Sequence, residues 1–144
     1  MTLSVEPGWW KDLFDEVYLQ TDARSVCDER LTAREVDFIE AALNCDKSAA
    51  VLDLCGGQGR HALELTRRGF TRVTLLDYSD CLVRLGHKRA IREVLNTNFI
   101  RGDARFSGLR GRTFKAVIIM GSSFGYFQDE QENRKMLQEA YRLL

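Results

Sequence analysis

Three acids, Asp53, Asp77 and Asp103, stand where three successive strands are expected to end. Asp53 opens the stretch Asp53-Leu54-Cys55-Gly56-Gly57-Gln58-Gly59-Arg60-His61-Ala62, in which Gly57-x-Gly59-x-x-Ala62 satisfies a dinucleotide-type fingerprint. Glycines there let the backbone turn tightly and let a ligand approach the main chain, and the helix start beyond them offers free N–H groups to an anion. Asp77 comes 24 residues after Asp53, close to the spacing expected of an acid that accepts both ribose hydroxyls. Three carboxylates in one crevice repel one another unless a ligand brings donors or positive charge. A ligand with a ribose diol, an exocyclic amine, an ammonium and a sulfonium brings all of these, whereas a dinucleotide pyrophosphate brings the wrong sign.

Placing the three acids together requires a particular order of elements. From Ala49 the run AAVLDLC suits a strand buried on both faces, and Arg60 to Arg68 then reads as a helix stopped by Gly69, a natural C-cap. RVTLLDYS is a second strand with Ser79 as N-cap of the helix CLVRLGHKRAIREVL, and NFIRGD and FKAVIIMG are the third and fourth strands. The final helix has Asp129 and Glu132 in capping-box spacing, with Met136, Leu137, Ala140, Tyr141 and Leu144 on one face. Alternating strands and helices predict a parallel sheet of βαβ units with ligands beyond the strands' carboxyl ends. Ahead of it, Trp10, Leu13, Phe14, Val17 and Tyr18 fall on one face of a first helix. Thr32 with Glu35 marks the start of a second, which carries Val36, Ile39 and Leu43. The division expected is an N-terminal helical segment over 1–47 and a Rossmann-like unit over 48–144.

Composition bounds the function. With 144 residues, 21 Lys plus Arg against 21 Asp plus Glu, and a single proline, the chain reads as one soluble domain without the basic footprint of a nucleic-acid or anionic-membrane binder. No apolar run is long enough for a membrane span and no leader pattern opens the chain, so a cytoplasmic location is expected. Cys27, Cys45, Cys55 and Cys81 form no C-x-x-C, which predicts reduced thiols and no metal site.

VLDLCGGQGRHALELTRRGF, VTLLDYS, FIRGDAR and FKAVIIMGSSFGYF, in that order, resemble successive motifs of the class I S-adenosylmethionine-dependent methyltransferases. More narrowly they resemble a small-molecule-type group with DLxCGxGRHA and SFGYF motifs, and the likeness runs over about residues 32 to 144. It implies an α/β Rossmann-like sheet of strand order 3-2-1-4 and S-adenosylmethionine as cofactor. Gly57 and Gly59 would line its methionine part, Asp77 bind the ribose, Asp103 take the adenine amino group and Ala104 present its backbone N–H to the ring. Asp53 would orient the glycine loop or, through water, the cofactor's ammonium, with Cys55 at a position where many relatives carry glycine; Tyr78 and Met120 complete the expected cofactor set. The acceptor is expected at the loop after the fourth strand, against Phe124 and Tyr126 with Phe127 beside them, and with Tyr18 covering it from the N-terminal helix. The reaction implied is in-line transfer of a methyl group to a small molecule, by positioning and with no general base named.

Plainer readings compete at single residues. His61 is expected to pack or face solvent, since its spacing from His87 does not suit a metal pair. The stripe Trp9, Trp10, Phe14 and Tyr18 is expected to pack as helix rather than form a lid. As alternatives, a nicotinamide-dependent oxidoreductase accounts for the glycines and Asp77 but not for Asp53 and Asp103, and a non-catalytic or incomplete binding module accounts for the short chain. Relatives of this resemblance carry three further strands, so the AVIIM strand is expected to be an open edge that pairs with a second copy or with a missing C-terminal half.

Overall fold

Four parallel strands in the order β3-β2-β1-β4 carry the three acids to one edge. The structure, a computed structural model, describes residues 6–144, so the first five residues of the expected N-terminal segment lie outside it. In chain order the elements are α1 (Trp10–Leu13), α2 (Glu16–Thr21), α3 (Ala23–Val26), α4 (Glu29–Leu43), β1 (Ala50–Leu54), α5 (Arg60–Arg67), β2 (Arg72–Asp77), α6 (Asp80–Arg92), β3 (Thr97–Arg101), β4 (Ala116–Ile118) and α7 (Glu130–Leu143).

All five residues of β1 are buried, because helices cover both faces of the sheet. Alternation along the strands divides the core. Val51, Val73, Leu75, Ala116 and Ile118 face Val36 and Ile39 of α4, Ala62 and Leu65 of α5 and Val83 of α6. Ala50, Leu52, Leu54 and Leu76 face Met136, Ala140 and Leu143 of α7. This period of two fixes the direction of Asp53: lying two residues after Val51, it points toward the α5 side and into the core.

The helix boundaries differ from the pattern in three places. The N-terminal stripe does not lie on one helix, because the chain bends at Phe14 and restarts when Asp15 caps the N–H groups of Val17 and Tyr18. Asp28, not Thr32, caps α4 through the N–H groups of Arg30 and Leu31; Thr32 is buried one turn in, and Glu35 is released to reach α5. On α7 the buried face is Met136, Ala140 and Leu143, spaced i, i+4, i+7, which leaves Leu137, Tyr141 and Leu144 exposed. Asp129 caps that helix as expected, but Glu132 pairs with Arg105 and Lys135 instead of closing a capping box. The fourth strand is only three residues long, ending before Met120.

Candidate functional site

The turn from β1 to α5 is built on left-handed residues: Cys55 has φ 62°, Gly57 59° and Gly59 81°. Only glycine takes that region without strain, so the two glycines are required by the turn and Cys55 is strained in it. Gly56 is needed for another reason, close approach. A Cβ there would stand 2.6 Å from Leu75 Cδ1 and 2.7 Å from the Asp53 carboxyl carbon. Gly86 of α6 lets that helix press on the same turn, since a Cβ would meet the Gln58 carbonyl at 2.5 Å.

A cavity of about 390 Å³ opens beyond the strand ends. Asp53, Cys55, Gly57, Asp77, Tyr78, Asp103, Ala104 and Met120 all line it, while Gly59 stands one step behind as the N-cap of α5. Of the expected acceptor residues, Tyr18 and Tyr126 line the cavity. Phe124 does not: it is half-exposed and turned away from the wall, because the loop bends at Gly121, Ser122 and Gly125, each with positive φ. Phe127, expected beside them, does line the wall.

The three acids have different surroundings. Asp53 is fully buried with neither carboxylate oxygen hydrogen-bonded. Burial pushes its carboxyl up to about 7; the Ala62 N–H, directed at it without closing a hydrogen bond, offsets this in part, and the neighbouring Asp77 adds to it. Asp77 accepts from the N–H of Gly57 and the N–H of Ser79, each at 2.8 Å. Burial still raises its carboxyl above the usual carboxylate range, against those donors. Asp103 is also pushed up by burial, but hydrogen bonds from Arg105 outweigh this and hold it below the ordinary value.

Aromatic rings close the other side. Tyr126 stacks on Phe14 at 5.6 Å, Phe14 meets Tyr18 edge-on at 5.0 Å, and Trp10 meets Tyr78 at 4.8 Å and Phe127 at 5.3 Å. Trp10, Phe14 and Tyr18 of the N-terminal stripe therefore line the cavity, where packing alone was expected, while Trp9 packs behind them on Phe14 and Tyr126. Two side chains fasten this segment there: Gln58 donates to the Val26 carbonyl at 2.8 Å, and Ser79, besides capping α6, donates to the carbonyl of Phe14. Sequence patterns gave no signal for Gln58 or Arg105 and showed Ser79 only as a cap.

His61 is buried in α5 with Nε2 2.8 Å from Glu35, which Arg60 also holds. Burial lowers its pKa, and Glu35 only partly restores it. Burial drives the Cys55 thiol well above its ordinary range, so it is no nucleophile at neutral pH. Among the described residues no group of His, Cys, Asp and Glu is arranged to hold a metal ion, and no helix is long and apolar enough to cross a membrane.

These three carboxylates, acceptors when ionised, suit a ligand that is cationic beside Asp53 and rich in hydrogen-bond donors beside Asp77 and Asp103. A family model described as a methyltransferase domain matches residues 51–144. A glycine/sarcosine N-methyltransferase of Parasynechococcus marenigrum (strain WH8102) is 33% identical over 113 residues, 76% of this chain and 39% of that protein. A ubiquinone/menaquinone biosynthesis C-methyltransferase of Blochmanniella floridana is 35% identical over 100 residues, 65% of this chain and 37% of that protein. The chain thus spans less than half the length of these relatives. The crystal structure of a SAM-dependent methyltransferase from Aquifex aeolicus shares the fold at a TM-score of 0.66 and 16% identity, covering 97% of this chain and 68% of the other.

Proposed function

The chain belongs to the class I S-adenosylmethionine-dependent methyltransferase family, and from that premise we propose that it binds S-adenosylmethionine and transfers its methyl group to a small molecule. The observation that carries this reading is Asp53, a fully buried carboxylate with no hydrogen bond in the wall of a cavity. Such a group is stable only when neutral or when a cation comes to it. An ammonium or sulfonium answers that need, and the pyrophosphate of a nicotinamide dinucleotide does not.

When bound, S-adenosylmethionine supplies a methyl group on an already activated sulfonium, which an acceptor takes by in-line displacement. The chain's own part is placement. Gly57 brings the main chain close to the methionine moiety, Gly59 behind it allows the turn, Asp77 accepts from the ribose hydroxyls, Asp103 accepts from the adenine amine and Ala104 offers its N–H to the ring. Cys55, Tyr78 and Met120 form apolar wall. Trp10, Phe14, Tyr18, Tyr126 and Phe127 exclude water and turn π-faces toward positive charge. Burial, then the charge of Asp22, raises the Tyr18 phenol to about 12, and burial raises the Tyr126 phenol as well. With Cys55 also held protonated, these groups supply orientation rather than a base. Residues 48–144 form the cofactor-binding unit and the N-terminal helices its cover.

Titration calorimetry with S-adenosylhomocysteine tests the reading. Asp77→Ala is expected to weaken binding by about 1.5–3 kcal/mol, ten-fold or more. Because Asp77 also holds Gly57 and Ser79, a ligand lacking both ribose hydroxyls completes a double-mutant cycle. That ligand should bind wild type more weakly and lose less than S-adenosylhomocysteine does on Asp77→Ala, the remaining loss measuring the loop that Asp77 holds. Full additivity of the two losses would sink the ribose assignment, and no binding by wild type would sink the cofactor.

A further inference from the structure

Arg105 does not line the cavity, yet four parts of the site meet at its guanidinium. Its Nε lies 3.0 and 3.2 Å from the two oxygens of Asp103, its Nη2 donates to Asp103 Oδ2 at 2.6 Å, and its own backbone N–H donates to Oδ1 at 2.9 Å. Nη1 reaches Glu132 in the first turn of α7. The guanidinium carbon stands 4.4 Å from the ring centre of Phe127 and 5.6 Å from that of Trp10, both cavity-wall rings in edge-on contact with each other. The side chain is only 18% exposed.

We propose that Arg105 is a positioning residue for purine recognition: by gripping Asp103 in one orientation and tying it to Glu132, Phe127 and Trp10, it makes the site select a 6-amino over a 6-oxo purine. This rests on the cofactor reading above. Asp103 lies two residues beyond the end of β3, where the Arg105 backbone N–H fastens Oδ1 and the orientation of Oδ2 is left to the guanidinium. A planar fork with two parallel bonds sets that orientation, which a lysine at the same place would not do. The fork is itself held, with Glu132 bonding one arm and the aromatic faces packing the rest. A carboxylate fixed as an acceptor attracts an exocyclic amine and repels a carbonyl oxygen. A carboxylate left to turn or to take up a proton accommodates either.

The experiment compares S-adenosylhomocysteine with its 6-oxo counterpart, S-inosylhomocysteine, by calorimetry on wild type, Arg105→Ala and Arg105→Lys, with circular dichroism confirming that each is folded. Wild type is expected to prefer the amino ligand by about ten-fold or more. Arg105→Ala should reduce the preference to about three-fold or less, with Arg105→Lys between them. A merely structural role would weaken both ligands together and leave the ratio unchanged, which would overturn the proposal. Should Arg105→Ala fail to fold, Arg105→Lys decides on the same ratio. Equal binding of the two ligands by wild type would end this inference while leaving the cofactor reading intact, and binding of neither would remove both.

Discussion

At the β1 end of the crevice Asp53 is buried without a hydrogen bond, while beyond β3 Asp103 is held by a bidentate arginine, although both acids stand at the carboxyl ends of parallel strands of one sheet, Asp53 within β1 and Asp103 just past β3. The difference lies in what the neighbouring elements supply. Around Asp53 the chain places Leu75, Gly56 and the covered start of α5, an apolar enclosure that raises the carboxyl. Around Asp103 it places Arg105, anchored on α7, which lowers it. Position in the fold assigns a residue to the site, and the packing around it sets its charge. One carboxyl is thus raised by its enclosure and the other lowered by its partner.

The largest expected effect breaks the comparison at Asp53. Its carboxyl rises from an ordinary 3.8 to about 7 in the folded protein. Between those values the native state holds a proton that the unfolded chain has released. The group's contribution to stability is therefore complete below about pH 4 and lost as pH climbs through 7. Asp53→Asn should raise the stability at pH 8 by about 2–4 kcal/mol and change it little at pH 4. Urea denaturation at the two pH values checks this; equal effects at both would mean that the carboxyl has a partner. Asp103, with its carboxyl lowered, has the opposite sign. Its stabilising pair is present at neutral pH and fades on acidification, so Asp103→Asn should cost stability at pH 7 and cost less as the pH is lowered.

A smaller effect is expected from crowding the enclosure. Gly56→Ala drives a methyl group against Leu75 and the Asp53 carboxyl, which should cost about 1–3 kcal/mol and weaken S-adenosylhomocysteine in parallel. Thermal melting with and without that ligand measures both, and an unchanged melting temperature would show that the enclosure yields. The smallest effect is a gain. Cys55→Gly relieves a left-handed residue at φ 62°, partly offset by glycine's greater freedom in the unfolded chain, and should add about 0.5–1 kcal/mol. Affinity for S-adenosylhomocysteine should stay within about two-fold, since Cys55 offers wall rather than a hydrogen bond. Loss of binding in Cys55→Gly would give the thiol a role that its surroundings do not suggest.

Much of this site was legible before any coordinates. The apolar run at β1, the glycines after it and the acids at Asp53, Asp77 and Asp103 determine a parallel sheet with a ligand crevice, because strand periodicity and glycine's backbone freedom are properties of the local chain. The helix starts at Ser79 and Asp129 were legible for the same reason, each being a local hydrogen bond to the next turn. What the sequence could not decide are relations between distant segments. Trp10, Phe14 and Tyr18 of the N-terminal aromatic stripe became a cavity wall only because Gln58 and Ser79 hold carbonyls of that segment. Glu35 left its expected cap for Arg60 and His61, 25 and 26 residues away. Of the three aromatic residues expected in the loop, Phe124 alone left the wall, because positive φ angles turned the loop. The contrast between Asp53 and Asp103 belongs to the same class, since the charge of a buried carboxylate depends on donors and solvent exclusion that only tertiary packing brings to it.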